Sequence, residues 1–142
     1  MFCADTSFLF SLYGHDVHTG EALSLLEKSG QPLLLSTLNE FELGNALRFA
    51  EWRGLRPKGS AAQCFEALSE DHAAGRWRES EIELAEIVTE AGRLSAAHTA
   101  TGGHRSFDIL HVAHARIAAP KRFLSFDANQ LRLARAAGLR CR

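Results

Sequence analysis

Residues 105–130 read RSFDILHVAHARIAAPKRFLSFDANQ, and this stretch contains the tripeptide Ser-Phe-Asp twice, ending at Asp108 and at Asp127. Its first half is apolar nearly all round, which predicts a largely buried helix. The run RFLSF predicts a short strand, and DANQLRLARAAG predicts a helix that follows it. Each Asp stands beside apolar sequence, where an isolated carboxylate is costly to bury. The position of these two acids therefore calls for an explanation.

The rest of the chain alternates in the same way. Strands are predicted at 1–4 (MFCA), 32–36 (PLLLS), 122–126 (RFLSF) and 139–142 (LRCR), with 76–79 (RWRE) at most a short edge strand. Helices are predicted at 18–30, 38–54, 59–75, 80–98, 106–119 and 127–138. Strands that alternate with helices indicate a parallel sheet. We therefore expect one α/β domain over residues 1–142, with a central parallel sheet of four to five short strands and helices on both faces.

Composition narrows the class of protein. The chain has 142 residues, of which 46% are hydrophobic and 23% charged, as in an ordinary globular domain. A net charge of −1 argues against binding nucleic acid by bulk electrostatics, but it leaves open a nucleic acid recruited locally. Two basic clusters favour solvated helix faces over an RNA track. They are Arg48, Arg53, Arg56 and Lys58, and the pair Arg76 and Arg78.

The sequence also suggests a cellular compartment. Three cysteines (Cys3, Cys64 and Cys141) are odd in number and lack the spacing of metal ligands, so reduced thiols are expected. The N-terminal segment carries no basic region of a secretory signal, and no apolar run reaches the length of a membrane span. A cytoplasmic protein without a membrane segment is therefore expected.

The predicted topology brings four acids to one end of the sheet. Asp5 ends the first strand and Asp127 follows the strand RFLSF, while Glu42 lies in the first two turns of the helix after PLLLS. The helix of Asp108 leads into the opposite end of RFLSF, so its N-terminus lies at the same end as the other acids. Ligands of open α/β sheets bind at the carboxyl ends of the strands. This arrangement is typical of an active site.

Each acid also has a structural interpretation. Asp5 and Asp127 are both possible N-caps, and Ser106 is a possible N-cap of the helix in which Asp108 complements the dipole. Taken alone, the helix-capping reading of Asp108 is as good as the functional one. These interpretations explain the acids singly but not their convergence.

Two glutamates compete for one role. The sequence from Thr37 to Glu40 fits a capping box, in which Glu40 folds back onto the N-cap amide. That assignment leaves Glu42 without a structural role, on the turn above Ala46 and Phe49. We therefore expect Glu42 to be the functional residue, with Glu40 as the alternative.

Four carboxylates at one site predict a cation. Two of them at about 5 Å repel by roughly 3 kcal/mol at an effective dielectric near 20, so their pKa values must rise or a cation must be bound. Hard oxygen ligands suit Mg²⁺ or Mn²⁺, which activate water and neutralise charge on a phosphodiester. A zinc site of Asp108, His111 and His114 is disfavoured because their spacing diverges around a helix, and buried or partner-facing histidines are expected instead. The sequence GHD at 14–16 is interpreted as a turn.

The ordered set of these motifs resembles the PIN-domain ribonucleases, and among them the VapC-type toxins of type II toxin–antitoxin systems. The resemblance runs from ADTSFLFSLY (4–13) through ELGNALR (42–48) and SFDILHVAHA (106–115) to FLSFDANQLRLARAAGL (123–139). It implies that Asp5, Glu42, Asp108 and Asp127 are the catalytic and metal-binding acids. Thr6 and Ser125 match supporting positions, with Ser125 where similar proteins often have Thr. Arg105 is a further candidate for substrate contact.

The resemblance also implies an activity and partners. These are Mg²⁺- or Mn²⁺-dependent endonucleolytic cleavage of RNA, a homodimer, and inhibition by a cognate antitoxin. Two alternatives stay open at this point. One is a metal-dependent nuclease or phosphatase that acts on another phosphoester, and the other is a PIN-like binding module that has lost catalysis.

Overall fold

The computed structural model describes residues 1–141, and its centre is a parallel sheet. The strands are β1 (Phe2–Ala4), β2 (Leu33–Leu35), β3 (Trp77–Glu79) and β4 (Phe123–Leu124), in the order β3-β2-β1-β4. Phe2 pairs with Leu33, and Cys3 pairs with Phe123. The predicted α/β class and the parallel sheet are confirmed, and the sheet has four strands in the described part of the chain.

Seven helices surround this sheet within residues 1–141. They are α1 (Thr6–Gly14), α2 (Thr19–Ser29), α3 (Thr37–Trp52), α4 (Ser60–Ala73), α5 (Leu84–Gly102), α6 (Ser106–Ala118) and α7 (Ala128–Ala136). Six correspond to predicted helices. Helix α1 is an addition to the helices placed along the sequence, and it begins directly after Asp5. No helix in this part of the chain is both long and apolar enough to cross a membrane.

The two faces of the sheet bury separate apolar clusters. Successive side chains of a strand point to opposite faces. Phe2 and Ala4 of β1 accordingly join one cluster, with residues of α1 to α4, whereas Cys3 joins the other, with residues of α5 to α7. Both clusters are closely packed, since Leu47 in the first and Val112 in the second are fully buried. The predicted helices on both faces are therefore confirmed.

Two elements differ most from the sequence prediction. The predicted strand 139–142 is reduced to a single parallel bridge between Cys141 and Phe123, because β4 is only two residues long, and residue 142 lies outside the described residues. Helix α5 runs from Leu84 to Gly102 rather than over residues 80–98. The amide of Ser80 instead donates to the Leu35 carbonyl at 2.7 Å and continues the pairing of β3 with β2. The predicted edge strand 76–79 is present as β3.

Candidate active site

The four candidate acids lie at the carboxyl ends of the strands, as the topology predicts. Asp5 directly follows β1, and Asp127 lies three residues beyond the end of β4. Glu42 lies in the second turn of α3, which begins two residues after β2. Asp108 lies in the first turn of α6, which leads to β4. Short strands that end beside one another thus place separate segments of the chain at one site.

Asp5 is buried and held by three hydrogen bonds. Its Oδ1 accepts from the Phe8 amide at 3.0 Å and from the Ser7 hydroxyl at 2.7 Å, and its Oδ2 accepts from the Ser125 hydroxyl at 2.6 Å. Burial raises the pKa of Asp5 above its usual value, although these hydrogen bonds lower it in part. Asp5 is therefore the N-cap of α1, and it also contacts the segment that follows β4.

Glu42 is fixed by donors from two other helices. Its Oε2 accepts from the hydroxyl of Thr6 and lies 2.6 Å from Nε2 of His111. Burial alone raises the pKa of Glu42, but the hydrogen bonds from His111 and Thr6 outweigh it, and the net pKa is lowered. Clustering of the acids was expected either to raise their pKa values or to require a cation. The pKa of Glu42 is not raised, because hydrogen bonding to the charged form of the carboxylate favours that form.

The chain of hydrogen bonds behind His111 sets its tautomer. Oδ1 of Asn39 accepts from the Ser36 amide at 2.9 Å, so Nδ2 of Asn39 is the donor end of the amide. That Nδ2 donates to the Ala4 carbonyl at 2.9 Å and lies 3.3 Å from Nδ1 of His111. Nδ1 must therefore accept, and Nε2 carries the hydrogen that Glu42 accepts. Asn39 thus orients His111 toward Glu42.

The capping box of α3 differs from the predicted one. Its N-cap is Ser36, and Asn39 supplies the reciprocal side chain, so Thr37 and Glu40 form no such pair. Asn39 is chosen because it is buried and also bonded to β1. Burial, and next the negative charge of Glu79, raise the pKa of Glu40. The structural role assigned to Glu40 is therefore wrong.

Asp127 is linked to Asp5 through Ser125. Oδ1 of Asp127 accepts from the amides of Asn129 at 2.7 Å and Gln130 at 3.0 Å, which makes it the N-cap of α7. The Asp127 amide donates at 2.9 Å to the Ser125 hydroxyl, and that hydroxyl donates to Asp5. Ser125 therefore supports both acids.

Asp108 faces solvent more than Asp5 does and has a cationic neighbour. Its Oδ2 lies 3.4 Å from Nε of Arg105, whose side chain is 78% exposed. The N-cap of α6 is Arg105, without a side-chain capping bond, so the predicted N-cap at Ser106 is wrong. Asp108 precedes His111 by three residues, and positions so spaced lie on the same face of a helix.

The oxygen ligands of these residues suit an open site for a hard divalent cation, in which water and substrate complete the coordination, rather than a site closed by protein ligands alone. Within residues 1–141, no three His, Cys, Asp or Glu side chains come close enough together to hold a metal ion. The carboxylates of three of the candidate acids instead accept hydrogen bonds from protein donors. These acids are Asp5, Glu42 and Asp127. Mg²⁺ is commonly bound by one or two carboxylates together with water and substrate oxygens, so these acids fit such an ion.

Sequence reasoning did not assign His111 to the site. The signal was present, because its spacing from Asp108 places both on one face of α6. His114 lies elsewhere in the same helix, where its Nε2 is buried without a hydrogen-bond partner among residues 1–141. Burial lowers the pKa of His114 to about 4. The segment around Asp16 is a turn, as predicted, with His15 in the left-handed region and the Asp16 carboxylate accepting from the His18 amide.

A family model described as "PIN domain" matches residues 2–136. The chain belongs to the PIN domain family. No curated protein sequence gives a significant match to it.

Three solved structures share the fold of this PIN domain. Mycobacterium tuberculosis VapC20, a sarcin–ricin loop cleaving toxin, is 19% identical with a TM-score of 0.69, over 98% of this chain and 96% of that one. Rickettsia felis VapBC2, bound to a DNA fragment from its promoter, is 14% identical with a TM-score of 0.68, over 99% and 96%. Pyrobaculum aerophilum PAE2754 is 21% identical with a TM-score of 0.59, over 93% and 83%.

Proposed function

We propose that this PIN domain, over residues 1–142, is a metal-dependent endoribonuclease of the toxin–antitoxin type. It would use Mg²⁺ or Mn²⁺, assemble as a homodimer and be neutralised by a cognate antitoxin. The similar structures support this proposal, since one is a toxin that cleaves the sarcin–ricin loop and another is a VapBC complex. The resemblance in the sequence supports it independently.

One structural observation carries the proposal. Hydrogen bonds connect the chain segments that carry three of the candidate acids. The Ser125 hydroxyl donates to Asp5 and accepts from the backbone amide of Asp127, and Thr6 at the start of α1 donates to Glu42. Helix capping alone needs no such connection between segments. Desolvating a carboxylate as buried as Asp5 is costly, and a site that functions by binding cations explains why the cost is retained.

The residues have distinct roles in this proposal. Asp5, Glu42, Asp108 and Asp127 would hold the cation, which supplies an activated water and neutralises charge on the phosphodiester. Thr6 and His111 keep the carboxylate of Glu42 in place and ionised, so that it can orient the attacking water and accept its proton. Arg105 is exposed beside Asp108 and would contact a substrate phosphate.

The test compares three substrates with the same protein. A structured RNA, a single-stranded DNA and nitrophenyl phosphate are each incubated with Mg²⁺ or Mn²⁺, with EDTA as the control. Cleavage of RNA alone is the expected result. Turnover of the DNA or the nitrophenyl ester at an equal rate would favour a general phosphoesterase, and no turnover of any substrate would favour a binding module.

The toxin assignment needs a separate test. Expression in a bacterial host is expected to stop growth, and the Asp5→Asn variant is expected to let the host grow at the rate of an empty-vector control. Equal growth with both proteins at equal abundance would contradict the toxin assignment without affecting the nuclease assignment.

A further inference from the structure

Two phenylalanine rings lie side by side at the rim of the candidate site. Phe41 immediately precedes Glu42 in α3, and Phe107 immediately precedes Asp108 in α6. Their ring centroids are 6.1 Å apart and their planes are inclined by 25°. Phe41 is 64% exposed although it is a large apolar side chain. The rim thus presents an aromatic surface beside two of the candidate acids.

The ring pair is continuous with the interior of the site. The Phe107 ring lies 6.3 Å from the ring of His111, and His111 contacts Glu42. A row of three rings therefore runs from the surface at Phe41 to the carboxylate of Glu42. Arg105 stands at the same rim, and its contact with Asp108 uses Nε and leaves the two Nη groups out of that pair.

This combination of groups fits one ligand chemistry. Aromatic faces stack on nucleobases, and an arginine beside them binds the phosphate backbone. A base inside a duplex already has both of its faces stacked on neighbours, so an exposed ring at the rim can accept only a base that is unpaired and turned outward. The rings are linked to the site through His111, which lies 6.3 Å from the Phe107 ring and 2.6 Å from Glu42, so a base stacked on them would lie near a phosphate bound at the acids.

A protein partner fits a different part of the same helix better. Phe49 and Trp52 are also exposed on α3, and Leu55 is exposed just beyond it. At 1.5 Å per residue, Phe49 and Trp52 lie about 12 and 16 Å along the helix from Phe41. That apolar surface therefore begins more than two helical turns away from Phe41.

We propose that Phe41 and Phe107 form a stacking platform for one unpaired nucleobase next to the cleaved phosphate, and that Arg105 binds the adjoining phosphate. This inference rests on the proposed nuclease function and adds a requirement to it. The substrate must be single-stranded at that nucleotide, as in a loop or a strand end.

The direct test is fluorescence of 2-aminopurine, which falls when the base stacks. A set of uridine decamers is prepared, each with a single 2-aminopurine at a different position. They are titrated in Mg²⁺ with the Asp5→Asn protein, whose slow cleavage leaves the decamers intact during the measurement. At one or more positions we expect at least about a twofold loss of fluorescence. The loss should disappear in Phe41→Ala and in Phe41→Leu, persist in Phe41→Trp, and be absent when the decamer is paired with its complement.

Two controls make the result specific. Phe49→Ala, which removes another exposed ring of α3, should leave the fluorescence change as it is. Phe41→Leu keeps apolar volume at position 41, so a loss of stacking in this variant is not a loss of folding. With position 5 restored to Asp, Phe41→Leu should raise the KM for single-stranded RNA about tenfold or more with a smaller change in kcat.

The outcomes separate the platform from the nuclease. An unchanged fluorescence loss in Phe41→Leu, or no loss at any position, overturns the platform while RNA cleavage by the native protein stands. A Phe41-dependent loss without any cleavage by the native protein supports the platform and contradicts the nuclease function. If Phe41→Leu changes the mass of the assembly that the protein forms in solution but leaves the fluorescence loss unchanged, Phe41 belongs to a protein interface, and the platform is overturned.

Discussion

Nε2 of His111 lies 2.6 Å from Oε2 of Glu42, and this contact joins the buried helix α6 to α3. Because Asn39 presents a donor to the other ring nitrogen, His111 can only donate to Glu42. Thr6 donates to the same oxygen from α1. Donors from two other helices, α1 and α6, therefore fix the carboxylate of Glu42 in α3.

His111 is expected to be a positioning residue for Glu42. His111→Leu should lower kcat for RNA by about 10–100-fold with little change in KM, since losing such an outer contact typically has effects of this size on metal sites. His111→Gln can still donate to Glu42 and should recover part of the activity. Equal kcat values for the two variants would show that the donated hydrogen bond is not what matters at this position.

The two glutamates of α3 are expected to differ. Glu42→Gln should reduce RNA cleavage by at least about a hundredfold, because it removes a charged ligand and proton acceptor. Glu40→Gln is the matched control, and it should leave cleavage within a factor of about three, since Glu40 contacts neither Thr6 nor His111 in the structure. If Glu40→Gln were inactive and Glu42→Gln active, the functional glutamate would be Glu40, on the opposite face of α3.

His114 is expected to make the protein less stable in acid. Its folded pKa is about 4, below the ordinary value of 6.5. As the pH falls from 6.5 to 4, His114 therefore binds a proton in the unfolded chain but stays neutral in the folded protein. This group costs about 3 kcal/mol of unfolding free energy over that interval, and none of this cost is present above it.

Urea denaturation at a series of pH values measures this effect. His114→Leu should lose about 3 kcal/mol less stability than the native chain between pH 6.5 and 4. The difference between the two proteins isolates His114, because Asp5 and the other acids titrate in both. Parallel stability profiles over this interval would mean that His114 is protonated equally easily in the folded state.

The positions of the candidate acids in the fold were predictable from sequence because they depend on topology. Strands that alternate with helices fix which segments end at the same edge of the sheet, and this predicts without any coordinates that Asp5, Glu42, Asp108 and Asp127 lie at that edge. The N-caps at Asp5 and Asp127 were also predictable, since each acid follows a strand and precedes a helix.

The remaining features depend on contacts between helices, which no local pattern contains. The N-cap of α3 is Ser36, and Asn39 rather than Glu40 completes the capping box because the Asn39 amide also reaches the Ala4 carbonyl of β1. The same distant contact aims His111 at Glu42. Helix α1 was implied by the N-cap at Asp5 but was given no range, because hydrophobic residues surround it and the 3.6-residue pattern of a half-exposed helix is therefore weak.

The central claim is that the four acids form a metal-dependent nuclease site, and RNA cleavage measured with and without divalent metal tests it most directly. The native protein is expected to cleave in Mg²⁺ or Mn²⁺ and to stop in EDTA. Asp5→Asn, Asp108→Asn and Asp127→Asn should each cleave at least about a hundredfold more slowly while folded, and Glu86→Gln, an exposed acid of α5, should cleave normally. Cleavage that continues in EDTA, or in two of the three Asn variants, would contradict the claim.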